Sequence, residues 1–588
     1  MTSCLCYSDS QAGGFIMDTP WKKSYDPWFK DTFDYPEATL YEMVENAARL
    51  YPDYTALKFL GTEISYSRLL KEIDRTAVSL ASIGFDKNQV ATICLPNIPQ
   101  AVIFFYAVNK LGGICNMVHP LSPAEEMLHY LRSTKSEWLI ILDAMLPKQL
   151  NMLENADVKK TIVCSIMDYL KPAMKLGFYL SKGRKIKAVP EKTSIIKWKK
   201  FIQLPGDGYL SQKKRSPHEC AVYLHSGGTT GAPKTIMLSA DNLNILAYQG
   251  PQIVGFDMDK PFDPKNLSMV AILPLFHGFG LCMGMHTMLV NGMTAILVPQ
   301  FSPDVLSRVI VKNKPSFIAA VPTLFEGILK NPGLAKADLS CLKAIFCGGD
   351  TLPVDLKERF DRFVHERGGK CNLREGYGLT ETVTVCAVNP EMKSRAGTVG
   401  LPLADVLMKV IEPGTTRQLP AGSDGEFCVH APTIMLGYLD DEQATNEAVR
   451  RHEDGLNWVH TGDYGYMDED GYFHFKQRLK RILKVSGVPV FPSQIEDVIS
   501  ALPDVRLVCA IGVPHPYKMQ VVKAFVVPQS DNADHKKLEE LIIGHCEKHL
   551  ISYAIPKEIE FRDELPMTKV GKIDYVELER QEIARKSV

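Results

Sequence analysis

The sequence predicts an α/β protein, with a large N-terminal domain of mostly parallel sheets covered by helices and a small C-terminal α+β domain. Three observations predict it. Over the first 400 residues, apolar helical faces alternate with short apolar runs, the rhythm of β–α–β units. Residues 266–303 contain no Asp, Glu, Lys or Arg, so this part of the chain is core. Past Phe475 a short charged run, Gln477-Arg478-Leu479-Lys480-Arg481, interrupts the rhythm and a smaller pattern begins. At 588 residues the chain has room for several units of roughly 150 residues each.

The elements follow in order. Leu69, Leu70, Ile73, Ala77 and Leu80 share one face of a helix ended by Gly84, and 90–95 reads as a buried strand. An apolar helix over 98–111 leads through Gly112-Gly113 to a short strand. Ser122-Pro123-Ala124-Glu125 predicts a capping box with proline at the first helical position, opening a helix that leads to a strand over 138–142. Apolar strands over 221–224 and 236–238 flank a glycine-rich loop. The uncharged stretch of 38 residues is long enough to span a bilayer. Pro274, His277, Gly278, Gly280, Gly284, His286, Asn291 and Gly292 instead cut it into a strand (268–273), a loop, a helix and a second strand (294–298). Beyond the charged run come a helix over 493–502, strands near 507–511 and 523–527, and a helix over 534–549. Residues 1–476 and 482–588 are assigned to the two domains, joined by 477–481.

Sixty-seven basic against 68 acidic side chains leave a net charge of −1. That removes the basic excess a general nucleic-acid binder needs, so no nucleic-acid partner is expected. With 45% apolar and 23% charged residues, disordered, collagen-like and coiled-coil classes are excluded too. The 14 cysteines are scattered, only Cys4 and Cys6 lie close together, and no CxxC pair exists; they read as reduced core hydrophobes. Residues 1–15 lack a basic n-region and an apolar h-region, so a cytoplasmic protein is expected, and Met17 is an alternative start. One segment departs from neutrality. Residues 165–200 hold ten Lys or Arg against two acids, interleaved with Leu170, Met174, Phe178, Tyr179, Leu180 and Trp198. This reads either as a solvated insertion or as a peripheral contact with an anionic membrane, on its inner face.

The sharpest local signal is Ser226-Gly227-Gly228-Thr229-Thr230-Gly231-Ala232-Pro233-Lys234. Backbone N–H groups freed by three glycines, two threonine hydroxyls and a lysine suit a phosphate better than they suit a plain hairpin turn. The loop is not a Walker A motif, because its lysine follows a proline. Weaker blocks follow. Pro274-Leu275-Phe276-His277-Gly278 puts an imidazole beyond an apolar strand, and Cys347-Gly348-Gly349-Asp350 would let a flat ligand approach the backbone. Gly376-Tyr377-Gly378-Leu379-Thr380-Glu381 groups an aromatic face, a hydroxyl and a carboxylate, and Thr461-Gly462-Asp463 offers a carboxylate suited to ribose hydroxyls.

In order and spacing, the loop 226–234, the block 377–381, Thr461 to Asp463, the run 478–484 and Gly571-Lys572 resemble the adenylate-forming superfamily of acyl-CoA synthetases, luciferases and peptide-synthetase adenylation domains. The resemblance covers residues 38–580, nearly the whole chain. The Gly227-Gly228 form of the loop, Glu375 to Glu381, Val485-Ser486-Gly487, the run 492–498 and the run 560–566 look most like bacterial long-chain fatty-acyl-CoA ligases. The resemblance implies activation of an apolar carboxylic acid by ATP through an acyl-adenylate, then transfer to coenzyme A. It implies that Ser226, Gly227, Gly228, Thr229, Thr230, Gly231 and Lys234 hold pyrophosphate, and that Glu381 with Thr229 holds Mg²⁺. Thr380 would contact the α-phosphate, Asp463 and Arg478 the ribose, and Tyr377 with Gly349 and Asp350 the adenine. Lys572 would supply the adenylation charge. His277, Val321, Gly348, Gly376 and Gly378 would wall the acid. A hinge at Lys480 would make the small domain mobile, removing Lys572 and bringing Ser486 and Gly487 to the pantetheine arm.

Three positions depart from the family pattern: Gln477 before the arginine, Thr235 after the loop lysine, and Gln494 before Ile495-Glu496. None removes a residue assigned to chemistry. Three alternatives to fatty-acyl-CoA ligation stand beside it: a bulkier aryl, sterol-like or dicarboxylic acid, an acyl carrier protein as acceptor, or a silent binding protein. Intact Lys572, Glu381 and Lys234 count against the last.

Overall fold

A computed structural model describes residues 18–181, 183–186, 189–190, 192–206, 215–226, 234–300, 302–486, 488–515, 519–568 and 572–586. Gly227, Gly228, Thr229, Thr230, Gly231, Gly487 and Gly571 lie outside the described residues, as do Cys4, Cys6, Met17, Lys182 and Lys187.

Two large sheets carry most of the N-terminal part, each with six parallel strands. In the first, parallel strands run in the order Leu373–Tyr377, Ala344–Cys347, Phe317–Ala320, Ser268–Ala271, Thr294–Leu297 and Thr55–Phe59. The second runs Cys220–His225, Ile114–Met117, Val90–Cys94, Trp138–Leu142, Lys160–Cys164 and Ile195–Lys197, with Thr235–Ser239 and Gly437–Tyr438 added antiparallel at one edge. Strands buried on both faces need apolar runs, and Val90–Cys94 and Trp138–Leu142 are buried throughout.

The helix Pro99–Lys110 is apolar around its whole circumference and buried from Pro99 to Asn109, as a helix in an inner layer must be. It packs on Leu40–Leu50 and Tyr66–Ser82. Leu40–Leu50 opens with a true capping box: Thr39 Oγ1 accepts the Glu42 N–H at 3.2 Å, and Glu42 Oε2 accepts the Thr39 N–H at 2.9 Å. The two sheets are tied at their carboxyl ends by Asn97, just past the strand Val90–Cys94. Its Nδ2 donates to the Ala271 and Leu273 carbonyls at 2.8 and 2.9 Å, and its Oδ1 accepts from Leu275 N–H at 3.1 Å.

The uncharged stretch forms the strand Ser268–Ala271, a π-helix Phe279–His286 running into Thr287–Val290, and the strand Thr294–Leu297. Among the described residues no helix is long and apolar enough to cross a membrane. Two expectations are corrected. The predicted box at Ser122 does not form: Pro123 keeps extended backbone (ψ 159°), the helix starts at Ala124, and no side chain caps it. In the basic segment Leu170 and Trp198 are core residues, Trp198 lying edge-on to Phe104 with ring centroids 5.3 Å apart.

An antiparallel sheet that the helix–strand rhythm did not announce occupies 407–478. Its strands are Leu407–Ile411, Gly425–His430, Asn457–Met467, Val449–Arg451 and Phe473–Arg478. After it come a 3-10 turn, Leu479–Arg481, a hairpin of Leu483–Val485 with Val488–Val490, and a three-stranded sheet of Val505–His515, Met519–Pro528 and Glu558–Phe561. The last sheet has apolar residues on both faces. One face packs on Pro492–Ser500 and His535–His549, the other on Tyr575–Lys586.

Candidate active site

Parallel α/β sheets leave the carboxyl ends of their strands open, and ligands bind there. Five of the sequence blocks begin at such ends. Ser226 follows Cys220–His225, Pro274 follows Ser268–Ala271, Val321 follows Phe317–Ala320, Gly348 follows Ala344–Cys347, and Tyr377 ends Leu373–Tyr377. The topology alone therefore gathers residues far apart in sequence.

At the centre is a carboxylate. Tyr377 OH donates to Asp463 Oδ2 at 2.7 Å, and Arg478 Nε stands 3.2 Å from Oδ1. Asp463 and Arg478 face each other across the antiparallel pair of Asn457–Met467 and Phe473–Arg478, so the register itself makes the ion pair. Burial pushes the Asp463 carboxyl upward, and Arg478 opposes that push. Beside the Arg478 ion pair, its buried Oδ1 accepts no aligned hydrogen bond among the described residues, which leaves a lone pair for a donor such as a sugar hydroxyl.

Lys572 reaches this group from the C-terminal part. A Cβ at Gly349 would lie 3.8 Å from its Cε, and Gly349 adopts φ +84°, which an L side chain rarely does. Burial lowers the Lys572 ammonium, Asp350 raises it, and Asp463 adds to that support while Arg478 opposes it. Lys572 also lowers His277, whose burial is the larger cause and brings it to about 4; the ring is neutral at pH 7. The Val321 side chain comes within 3.5 Å of the Gly349 Cβ position. Gly376 pairs with Val388, and Gly378 has no room for a side chain, because a Cβ there would sit on the Thr384 carbonyl.

A second carboxylate, Glu381, shares a neighbour with Lys234. Tyr438 OH donates to Glu381 Oε1 at 2.8 Å, and the Lys234 ammonium lies 4.6 Å from the Tyr438 ring centroid. The Met435 N–H donates to the Glu381 carbonyl at 2.8 Å, fixing the turn Thr380–Thr382. Among the described residues nothing bonds Glu381 Oε2. One free carboxylate oxygen suits a Mg²⁺ that keeps its waters and shares phosphate oxygens.

Sequence reasoning missed Tyr438. It arrives through the pairing of Ile236 with Tyr438 at a sheet edge, which no local pattern announces. It also missed Asn97 and gave no role to Glu375, whose buried carboxyl accepts the Leu352 N–H at 3.1 Å and is pushed up to about 8 by burial. Thr235, the departure after the loop lysine, is buried and meets His225 Nδ1 at 3.2 Å, while His225 Nε2 meets Asn116 Oδ1 at 2.7 Å. Gln477 is buried as well, and Ser493 Oγ reaches its Oε1 at 3.5 Å. Lys480 is exposed in the 3-10 turn, and Ser486 is exposed at the hairpin tip with φ +52°. No interaction among the described residues links Ser486 to Lys572 or His277.

Comparison with known proteins bears on the family and the fold. The sequence profile of the AMP-binding enzyme family matches residues 44–439, and that of the AMP-binding enzyme C-terminal domain matches 494–572. The long-chain-fatty-acid–CoA ligase of Bacillus subtilis is 32% identical over 560 residues, covering 94% of this chain and 96% of the relative. The probable 4-coumarate–CoA ligase 3 of Dictyostelium discoideum is 30% identical, covering 90% of each chain. The crystal structure of the anthranilate CoA ligase AuaEII with anthranoyl-AMP superposes with a TM-score of 0.81 at 21% identity, covering 94% of this chain and 98% of that one.

Proposed function

This chain belongs to the AMP-binding enzyme family, and from that premise we propose that it activates a long- or medium-chain fatty acid for transfer to coenzyme A. It is an AMP-forming acid–CoA ligase that uses ATP, Mg²⁺ and coenzyme A. A carboxylate oxygen is too poor a leaving group for a thiol to displace at neutral pH. The acid oxygen therefore attacks the α-phosphorus of ATP, the bond to the bridging oxygen breaks, and pyrophosphate leaves. The thiol then attacks the acyl carbon and expels AMP.

The first step brings anions together, so cations must offset the charge. The observation that carries this reading is the meeting of Lys572 with Gly349-Asp350, Asp463 and Arg478. Lys572 neutralises charge at the α-phosphate, Thr380 contacts that phosphate, and Lys234 with the 226–231 loop takes the departing pyrophosphate. Asp463 and Arg478 hold the ribose. Tyr377 and the 349–350 backbone flank adenine. Glu381, steadied by Tyr438, would hold Mg²⁺ together with Thr229; the ion supplies charge neutralisation to the phosphates. His277, Val321, Gly348, Gly376 and Gly378 bound the acid. For the second step a hinge at 477–481, turning about Lys480, withdraws Lys572 and brings Ser486 and Gly487 toward the thiol arm.

The fatty-acid reading is supported by the Bacillus subtilis relative, and a bulkier aryl acid is the second reading, supported by the Dictyostelium one. A pyrophosphate-release screen over acids of varied length and shape, with and without coenzyme A, decides. Greatest turnover is expected with medium and long alkyl acids in the presence of coenzyme A. Preference for benzoate-like acids would replace the fatty-acid reading, and indifference to coenzyme A would replace the acceptor. The exposed side chains of the helix Pro172–Ser181, with the lysines around it, are proposed to rest on an anionic membrane.

A further inference from the structure

On the antiparallel sheet, where His460 lies three residues before Asp463 along the strand Asn457–Met467, one thiol and two imidazoles converge. Cys428 and His460 are cross-strand partners, and His452 follows the neighbouring strand Val449–Arg451. A donor atom from each of the three lies within 4.8 Å of the others. The His452 and His460 Nε2 atoms are 2.9 Å apart. Cys428 and His452 are buried at 0% and 6% exposure, and the His460 side chain at 5%. We propose that Cys428, His452 and His460 bind one divalent cation of the zinc class, with solvent as a fourth ligand.

The chemistry of the surroundings supports this. A sulfur and two imidazole nitrogens form the donor set that a borderline-soft ion prefers over Mg²⁺ or Ca²⁺. His460 Nδ1 stands 3.6 Å from Glu426 Oε2, so with Nε2 on a cation its Nδ1 proton would face a carboxylate. That is the usual orientation of a metal-bound imidazole. His452 Nδ1 is buried with no partner among the described residues, so this imidazole lies nine-tenths buried with only its Nε2 engaged. Of the two cations that act on the cluster, Lys409 and Arg450, Lys409 is paired with Asp454 at 2.9 Å, which limits its repulsion of an ion. On binding, the Cys428 S–H proton leaves to solvent and a metal–sulfur bond forms.

The position gives the ion a structural task. Glu426 Oε1 accepts the Gly462 N–H at 3.0 Å, and Thr461 Oγ1 donates to the Phe427 carbonyl at 2.8 Å. A cation joining His452, Cys428 and His460 would brace three strands next to Asp463, on the same strand as His460.

The test is cobalt and zinc titration of chelator-treated full-length protein. One equivalent of Co²⁺ should give tetrahedral visible bands and a thiolate charge-transfer band, and one equivalent of Zn²⁺ should displace it. Cys428→Ser should lose the charge-transfer band, and Glu426→Gln should weaken binding by about 10–100-fold. Zn²⁺ in excess should raise the Tm of the wild type by at least about 2 °C and leave that of His452→Gln unchanged. If Cys428→Ser does not fold, His452→Gln, which keeps the thiol, must show the loss of tight Co²⁺ binding instead. A spectrum that stays that of aqueous cobalt, or a charge-transfer band that survives in folded Cys428→Ser or in His452→Gln, overturns the proposal.

Discussion

Lys572 carries its charge into a partly closed site, where burial weakens the ammonium and Asp350 with Asp463 sustains it. An ammonium at developing charge is worth a few kcal/mol, so Lys572→Ala should slow acyl-adenylate formation by about 10²–10³-fold. Thioester formation from preformed acyl-adenylate should change little, because the hinge account withdraws Lys572 before that step. Single-turnover measurement of both halves checks this, and equal losses would refute the two-step use of the small domain. Glu375 gives a separate handle. Burial keeps it protonated in the folded chain up to about 8, while the unfolded carboxyl ionises near 4.5. The folded state therefore holds the extra proton between those values, and stability falls as pH rises through that window. Glu375→Gln keeps an oxygen for the Leu352 N–H and cannot ionise. Its denaturation midpoint should exceed that of the wild type at about pH 8 and converge with it below about pH 5. The same difference at both pH values would show that Glu375 is charged in the fold.

Elements formed where the pattern was strong. The buried strands Val90–Cys94 and Trp138–Leu142, and the all-round apolar helix Pro99–Lys110, were legible because hydrophobic run length and helical spacing report burial directly. Glycine-rich turns after Ala344–Cys347 and Leu373–Tyr377 were legible for the same local reason, and with them the positions of Gly349, Asp350 and Tyr377; Asp463 stands inside the strand Asn457–Met467, and only its Thr-Gly-Asp block marked it. Tyr438 was not, since its place depends on an edge pairing with Ile236 that only the folded sheet creates. The basic segment shows the same limit. Charge interleaved with aromatics looked uniform along 165–200, yet Trp198 is 4% exposed and Leu176 and Leu180 are 61% and 51% exposed. Trp198→Ala should thus cost about 3–5 kcal/mol of stability, as a large core truncation does. Leu176→Ser with Leu180→Ser should stay within about 0.5 kcal/mol of the wild type. That pair, or neutralised Arg184 and Lys185, should weaken low-salt sedimentation with anionic vesicles, each basic residue being worth roughly 1 kcal/mol there. A wild-type protein that ignores such vesicles at low salt would make the segment a solvated insertion.

Across the whole molecule, two six-stranded parallel arrays open their carboxyl ends on one region, Asn97 ties them there, and the antiparallel sheet delivers Asp463 and Arg478 beside Tyr377. The C-terminal part adds Lys572 to complete the group. On the proposed reading, this assembly, with the Asp463 carboxylate accepting from a ribose hydroxyl and Lys572 and Lys234 facing phosphates, makes an adenylate rather than moving a terminal phosphate. The direct test of that claim is product analysis with ATP, coenzyme A and a fatty acid in one reaction. AMP, pyrophosphate and acyl-CoA thioester should appear in equal amounts, and none should form when the acid is left out; release of ADP, or nucleotide turnover without any acid, would contradict the account.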